Sequence, residues 1–275
     1  MFDIFNVISE MLSFSFIVRA LIVGISISLC AAILGVTLVL KRYSMIGDGL
    51  SHVSFGAMSV ALALNMAPLQ LAIPVVLITA FFLLKMSQNS RINADAAIAV
   101  VSSTAIAIGI TVTSLTSGLN ADISSYMFGS ILALTPTDVY LSVGLSIVVI
   151  ILFIFSYNQI FGIVFDENFS KATGVKVEFY TMILALLTSI TIVLGMRLMG
   201  VMLISSLVIF PGLTAMRIFK TFKSVIIAAG VIAIISFFIG MVISYIYGLP
   251  TGAAVVLVNS SFFTIFTLKS TIFNR

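Results

Sequence analysis

The chain has 275 residues, of which 61% are hydrophobic and 8% charged, with a formal charge of +4. Soluble domains carry roughly 45–50% apolar and about 25% charged residues, and even large ones leave about a quarter of the unfolded surface exposed. This composition therefore excludes a water-soluble globule. It also offers no basic stripe with interleaved aromatics, so no nucleic-acid partner is expected.

Only helices and closed barrels satisfy the backbone in lipid. The apolar runs are continuous over about twenty residues, the length that crosses roughly 30 Å of hydrocarbon as helix; barrel strands would alternate over about ten. The fold class expected is all-α, a polytopic transmembrane bundle of about nine spans (eight or nine) forming one transmembrane domain over 1–275.

In chain order, MFDIFNVISEMLSFSF carries Asp3 and Glu10 before any basic residue, unlike a cleaved signal peptide. Apolar segments follow at 16–40, 45–66, 68–85, 94–115, 137–157, 179–196, 198–219, 223–247 and 250–268. A shorter run at 123–134 reads as a re-entrant or surface helix. Cys30, the lone cysteine, lies in the first segment and reads as small apolar filler. Tight turns are needed near 67, 197 and 249. Pro74, Pro211 and Pro250 sit in or at the edges of spans, Pro250 suiting a first helical turn.

Basic residues concentrate in cytoplasmic loops. Eleven of the thirteen, including Lys41, Arg42, Lys85, Lys171, Lys176, Arg217, Lys220 and Lys223, fall on one side of this count; Arg19 and Arg197 fall on the other. An external N-terminus and a cytoplasmic C-terminus follow as expectations.

Ionisable groups within spans are costly and mark function. Asp48 and His52, in GDGLSHVSFG, share one helical face at i, i+4, with Ser51 and Ser54 close by, and His52 is the only histidine. Such a pair either offers oxygen and nitrogen to a divalent cation or forms a hydrogen-bonded couple that holds the helix. A helix starting near Ser44 would put Asp48 roughly 6 Å and His52 roughly 12 Å inside the bilayer, a gate-like depth. The stretch 157–179 is amphipathic: Phe161, Phe165, Phe169 and Ala172 recur at spacings of three and four, Asp166, Glu167 and Lys171 face elsewhere, and Gly174 breaks the pattern. It reads either as a helix on the membrane surface or as one offered to a soluble partner. No Walker loop, HExxH, GxSxG or cysteine cluster occurs, so the chain reads as a non-enzyme.

Five stretches together resemble the permease subunits of ATP-binding-cassette importers of divalent metals. They are LVLKRYSMIGDGLSHVSFG (38–56), SSYMFGSILALTPTD (124–138), FDENFSKATGV (165–175), MGVMLISSLVIFPGLTAMRIF (199–219) and ISYIYGLPTGAAVVL (243–257). The resemblance implies a homodimeric pore in a bacterial plasma membrane, similar to the vitamin-B12-type importers. It implies a cytoplasmic ATP-binding subunit, an extracellular metal-binding lipoprotein, and Zn²⁺ or Mn²⁺ as transported ion with no tightly bound cofactor. Stretches 171–180 and 195–224 lean toward zinc-assigned members. On the same ground Asp48 and His52 belong to the metal path, and Phe165, Asp166, Glu167, Phe169, Lys171, Ala172 and Gly174 to the stretch leading into the ATPase-coupling helix. Pro211, Pro250 and Gly252 match structural positions. Gly212–Leu213 and Ser54–Phe55–Gly56 depart from the family pattern. The rival class is a gradient-driven secondary metal transporter, which would carry more buried carboxylates.

Overall fold

Long apolar runs become long helices because each N–H can be satisfied only within its own segment. The computed structural model describes residues 4–89, 94–116, 129 and 136–273, and all regular structure among them is helical. The helices are α1 (Ile4–Ser13), α2 (Ser15–Leu40), α3 (Ile46–Ala63), α4 (Pro68–Asn89), α5 (Ala94–Leu115), α6 (Pro136–Phe155), α7 (Tyr157–Phe165), α8 (Glu167–Ala172), α9 (Val177–Met199), α10 (Val201–Ile218), α11 (Phe222–Tyr247) and α12 (Thr251–Phe273). Nine of them coincide with the nine apolar segments. Seven are long and apolar enough to cross a membrane on length and composition alone. Of the other two, α3 is diluted by its polar opening GDGLSH, and the apolar stretch described for α4 stops at Leu84. The run at 123–134 lies outside the described residues except for Gly129.

Four boundaries differ from the sequence reading. The N-terminal segment forms a helix, α1, which Phe14 in extended conformation separates from α2. The turn expected near 197 falls at Gly200, whose φ of 85° lets α9 reverse into α10 through one residue. Pro250 directly precedes α12 rather than occupying its first turn, and its carbonyl accepts from the Ala254 amide. The amphipathic stretch is broken at Asp166 as well as at Gly174.

Helix α2 is apolar all round and occupies the centre, packed against α6, α9, α10 and α11. A Cβ on Gly35 would overlap the Val208 carbonyl, so α2 and α10 meet backbone to backbone there. Helix α3 packs against α4, α5, α9 and α10, and Gly56 allows the same close approach to Ala105 on α5.

Several basic links gather at one end of the bundle. Lys41, just beyond α2, pairs with Glu167 of α8. Phe222, which opens α11, stacks on Tyr157, Phe161 and Phe165 with centroids 5.5, 5.3 and 6.0 Å away. Lys41, Lys171 and the Arg217–Lys223 turn thus share one end, as the charge bias requires.

Candidate functional site

The link after α2 is short and starts from a tight helix end: the Tyr43 amide donates to Leu38 O at 2.8 Å. The side chain of Val208, whose backbone abuts Gly35, borders Gly47. Asp48, in the first turn of α3, therefore lies about level with Gly35, five residues inside the Leu40 end of α2.

At that level Asp48 sits where the free N–H groups of a helix start favour a carboxylate. Its Oδ1 accepts from Ser205 Oγ of α10 at 3.0 Å. Ser51 Oγ donates to Asp48 O at 2.7 Å and lies 3.3 Å from Ser205 Oγ. Ser205 has one proton to give, and the Val201 carbonyl, also at 3.0 Å, competes for it. Sequence reasoning found Asp48, His52 and Ser51 but missed Ser205, 157 residues away from Asp48. Its one signal was the pair Ser205–Ser206 inside an apolar span.

His52, one turn beyond Asp48, places Nε2 3.6 Å from Asp48 Oδ2. That is outside hydrogen-bond range. The couple is therefore not a tight Asp–His hydrogen bond; an oxygen and a nitrogen lie side by side. The side chains are partly open, 20% (His52) and 38% (Asp48) exposed. Among the described residues no group of three or more His, Cys, Asp or Glu comes together, so this chain supplies two such ligands at the site. Ser54 is buried without a hydrogen-bond partner in the structure and does not join them. Between α3, α4 and α5 a cavity of about 390 Å³ opens beside Val53 and Gly56. Its Thr79 and Thr104 hydroxyls are spent on their own helix carbonyls, so it offers an ion nothing.

The second candidate, at the end of the bundle, is α7–α8. Asp166, extended at φ −148°, accepts the Phe169 amide at 2.8 Å and so starts α8 as its N-cap. Gly174, at φ 84°, closes it, with Val175 N donating to Ser170 O at 3.0 Å. Ile160, Ile163 and Ser170 face inward. Phe165 and Phe169 are 61% and 65% exposed, and Asp166, Lys171, Ala172 and Gly174 are exposed with them. The phenylalanine stripe is thus the outward one. Glu167 takes two cations, Lys171 Nζ at 2.9 Å and Lys41 Nζ at 3.4 Å. Partial burial pushes its carboxyl up, but the Lys171 hydrogen bond and the two positive charges outweigh this and hold it below the usual carboxylate value. Lys41 is lowered, because burial outweighs its single carboxylate and Lys171 repels it. The attraction between the two is mutual; their shifts differ because burial weighs most on Lys41 and Glu167 also has Lys171.

Pro211 lies inside α10 and Gly252 in the first turn of α12, both buried, as structural positions would be.

A polytopic helical bundle with a polar pair at the start of α3 and an amphipathic helix exposed at one end is a multi-pass membrane protein. The chain belongs to the ABC 3 transport family, whose model matches residues 13–270, in agreement with the resemblance carried by the five stretches. It is 28% identical over 256 residues to the manganese transport system membrane protein MntC of Halalkalibacterium halodurans, covering 93% of this chain and 88% of that one. It is 27% identical over 257 residues to the high-affinity zinc uptake system membrane protein ZnuB of Haemophilus influenzae, covering 93% and 98%. Among solved structures it is similar to PsaBC from Streptococcus pneumoniae in complex with Fab, with a TM-score of 0.85 at 29% identity over 95% of this chain and 94% of that one.

Proposed function

We propose that the chain, as one permease domain over 1–275, is the non-catalytic membrane subunit of an ATP-driven importer of divalent metal ions. It would form a homodimeric pore, dock a cytoplasmic ATP-binding subunit through α7–α8, and receive metal from an extracellular binding lipoprotein. The N-terminus would lie outside and the C-terminus in the cytoplasm, in keeping with the basic links that share the α8 end. The carrying observation is the Asp48–His52 pair, an oxygen and a nitrogen 3.6 Å apart and partly open at the start of α3.

A hydrated divalent ion cannot cross hydrocarbon, and a conduit must bind it strongly enough to enter yet weakly enough to leave. Two ligands per subunit suit that need. Across a two-fold axis they would become four. Nitrogen and oxygen ligands at about 2.1 Å from a tetrahedral ion lie about 3.4 Å apart, close to the spacing of this pair and in favour of zinc. The relatives divide between the two metals, MntC for manganese and ZnuB for zinc.

The test is uptake of radioactive zinc by proteoliposomes holding permease, ATPase and binding protein. Uptake is expected to require ATP, to survive ionophores that collapse ion gradients, and to be displaced by unlabelled zinc at lower concentration than by manganese. Uptake driven by a gradient without ATP would instead support the secondary-transporter reading.

A further inference from the structure

Helix α8 is only six residues long, yet a side chain from a central span reaches it. Lys41 is the residue at which α2 ends, and its side chain is only 8% exposed. Its Nζ lies 3.4 Å from Glu167 Oε2, the one side-chain hydrogen bond among the described residues between α8 and another part of the bundle. A lysine buried to this degree is stable only with a partner, and Glu167 is the carboxylate that supplies one.

From Lys41 the chain reaches the polar pair through a short link. Lys41 N donates to Thr37 O, Arg42 N to Val39 O and Tyr43 N to Leu38 O, at 3.1, 3.0 and 2.8 Å. This is a Schellman-type helix end with Arg42 in the left-handed region at φ 62°. Ile46 N then donates to Tyr43 O at 3.0 Å, and Gly49 N to Met45 O at 3.0 Å. Asp48 follows seven positions after Lys41, along a link pinned by these bonds at the end of α2 and at the start of α3. With so short a link, a displacement of α8 bears on the start of α3.

We propose that the Lys41–Glu167 ion pair is the tether through which movement of α8 repositions the start of α3, and with it Asp48 and His52. The proposal rests on the docking role given to α8 above and adds the route by which that role reaches the ion path. Lys41 is a positioning residue here; it touches no ion. Lys171 has a different task, since it neutralises Glu167 from within α8 at 2.9 Å and connects to nothing beyond it.

The arrangement makes the two partners unequal. Without Lys41, Glu167 keeps Lys171. Without Glu167, the buried Lys41 ammonium loses its only carboxylate among the described residues and keeps the Tyr43 ring, 6.0 Å from its Nζ. Metal moved per ATP hydrolysed is the readout, measured on the full assembly in proteoliposomes for Lys41→Met, Lys41→Arg, Glu167→Gln and the double variant Lys41→Met/Glu167→Gln. Lys41→Met is expected to lower the ratio about fivefold or more with the ATPase still co-purifying, and Lys41→Arg to hold it within about twofold. Glu167→Gln should be worse than Lys41→Met, and the double variant should recover to the Lys41→Met level.

A wild-type ratio in Lys41→Met overturns the tether. So does a double variant whose loss is the product of the two single losses. ATPase lost in both variants that replace Glu167, with no recovery in the double, would make Glu167 a docking contact and also overturn it. Alanines across 166–169 serve as the control for the underlying reading. If they release the ATPase while Lys41→Met is neutral, docking stands and the tether falls. If they too are neutral, docking falls and takes the tether with it.

Discussion

Asp48→Ala and His52→Ala are each expected to lower ATP-dependent metal uptake at least about 100-fold, more than loss of an outer partner would, with assembly on the ATPase unchanged. Each substitution leaves one protein ligand per subunit at a station that supplies two. The alanines perturb the fold little, because both side chains are partly open and the bond from Ser205 is the sole side-chain hydrogen bond they make among the described residues. Asp48→Asn separates charge from geometry. It keeps an oxygen for Ser205 yet presents a neutral ligand, so uptake should remain well below wild type. Proteoliposome uptake alongside co-purification of the ATPase checks all three. Normal uptake by the Asp48→Ala/His52→Ala double variant would remove the pair from the ion route.

Such a pair could be found in the sequence because charge is so rare inside these spans. With 8% charged residues in the chain, an Asp and the only His one helical turn apart stand out at once. The nine long helices were legible for the same reason, since uninterrupted apolar runs have few other places to go. What surrounds the pair was not. Ser205 is an ordinary serine in an apolar helix until α10 lies against α3, and that contact depends on Gly35 and Gly47 letting the backbones close on Val208. At the other end, the phenylalanine period across 157–172 concealed a break at Asp166. The signal was present, an aspartate followed three residues later by the amide it caps, but a continuous amphipathic pattern read more strongly. The Lys41–Glu167 contact spans 126 residues and had no local signature.

Replacing Asp166, Glu167, Asn168 and Phe169 together by alanine is expected to reduce co-purification of the ATP-binding subunit, and transport-linked ATP hydrolysis with it, by about tenfold or more. Two losses combine. The Asp166 cap on the Phe169 amide at 2.8 Å disappears, costing about 1 kcal/mol of helix order, a large share for a six-residue helix. Phe169, 65% exposed at an end of the bundle gathered around basic links, is also lost; an aromatic anchor of this kind contributes about 2 kcal/mol when it fills a partner's pocket. Single variants separate the terms. Asp166→Asn retains a capping oxygen and should bind the ATPase nearly as well as wild type, whereas Phe169→Ala keeps α8 intact and should lose most of the affinity. If α7–α8 instead lies on the lipid surface, Phe169→Ala leaves co-purification untouched, because membrane burial of one ring does nothing for a soluble partner. That single measurement decides which surface the exposed phenylalanines were made to meet.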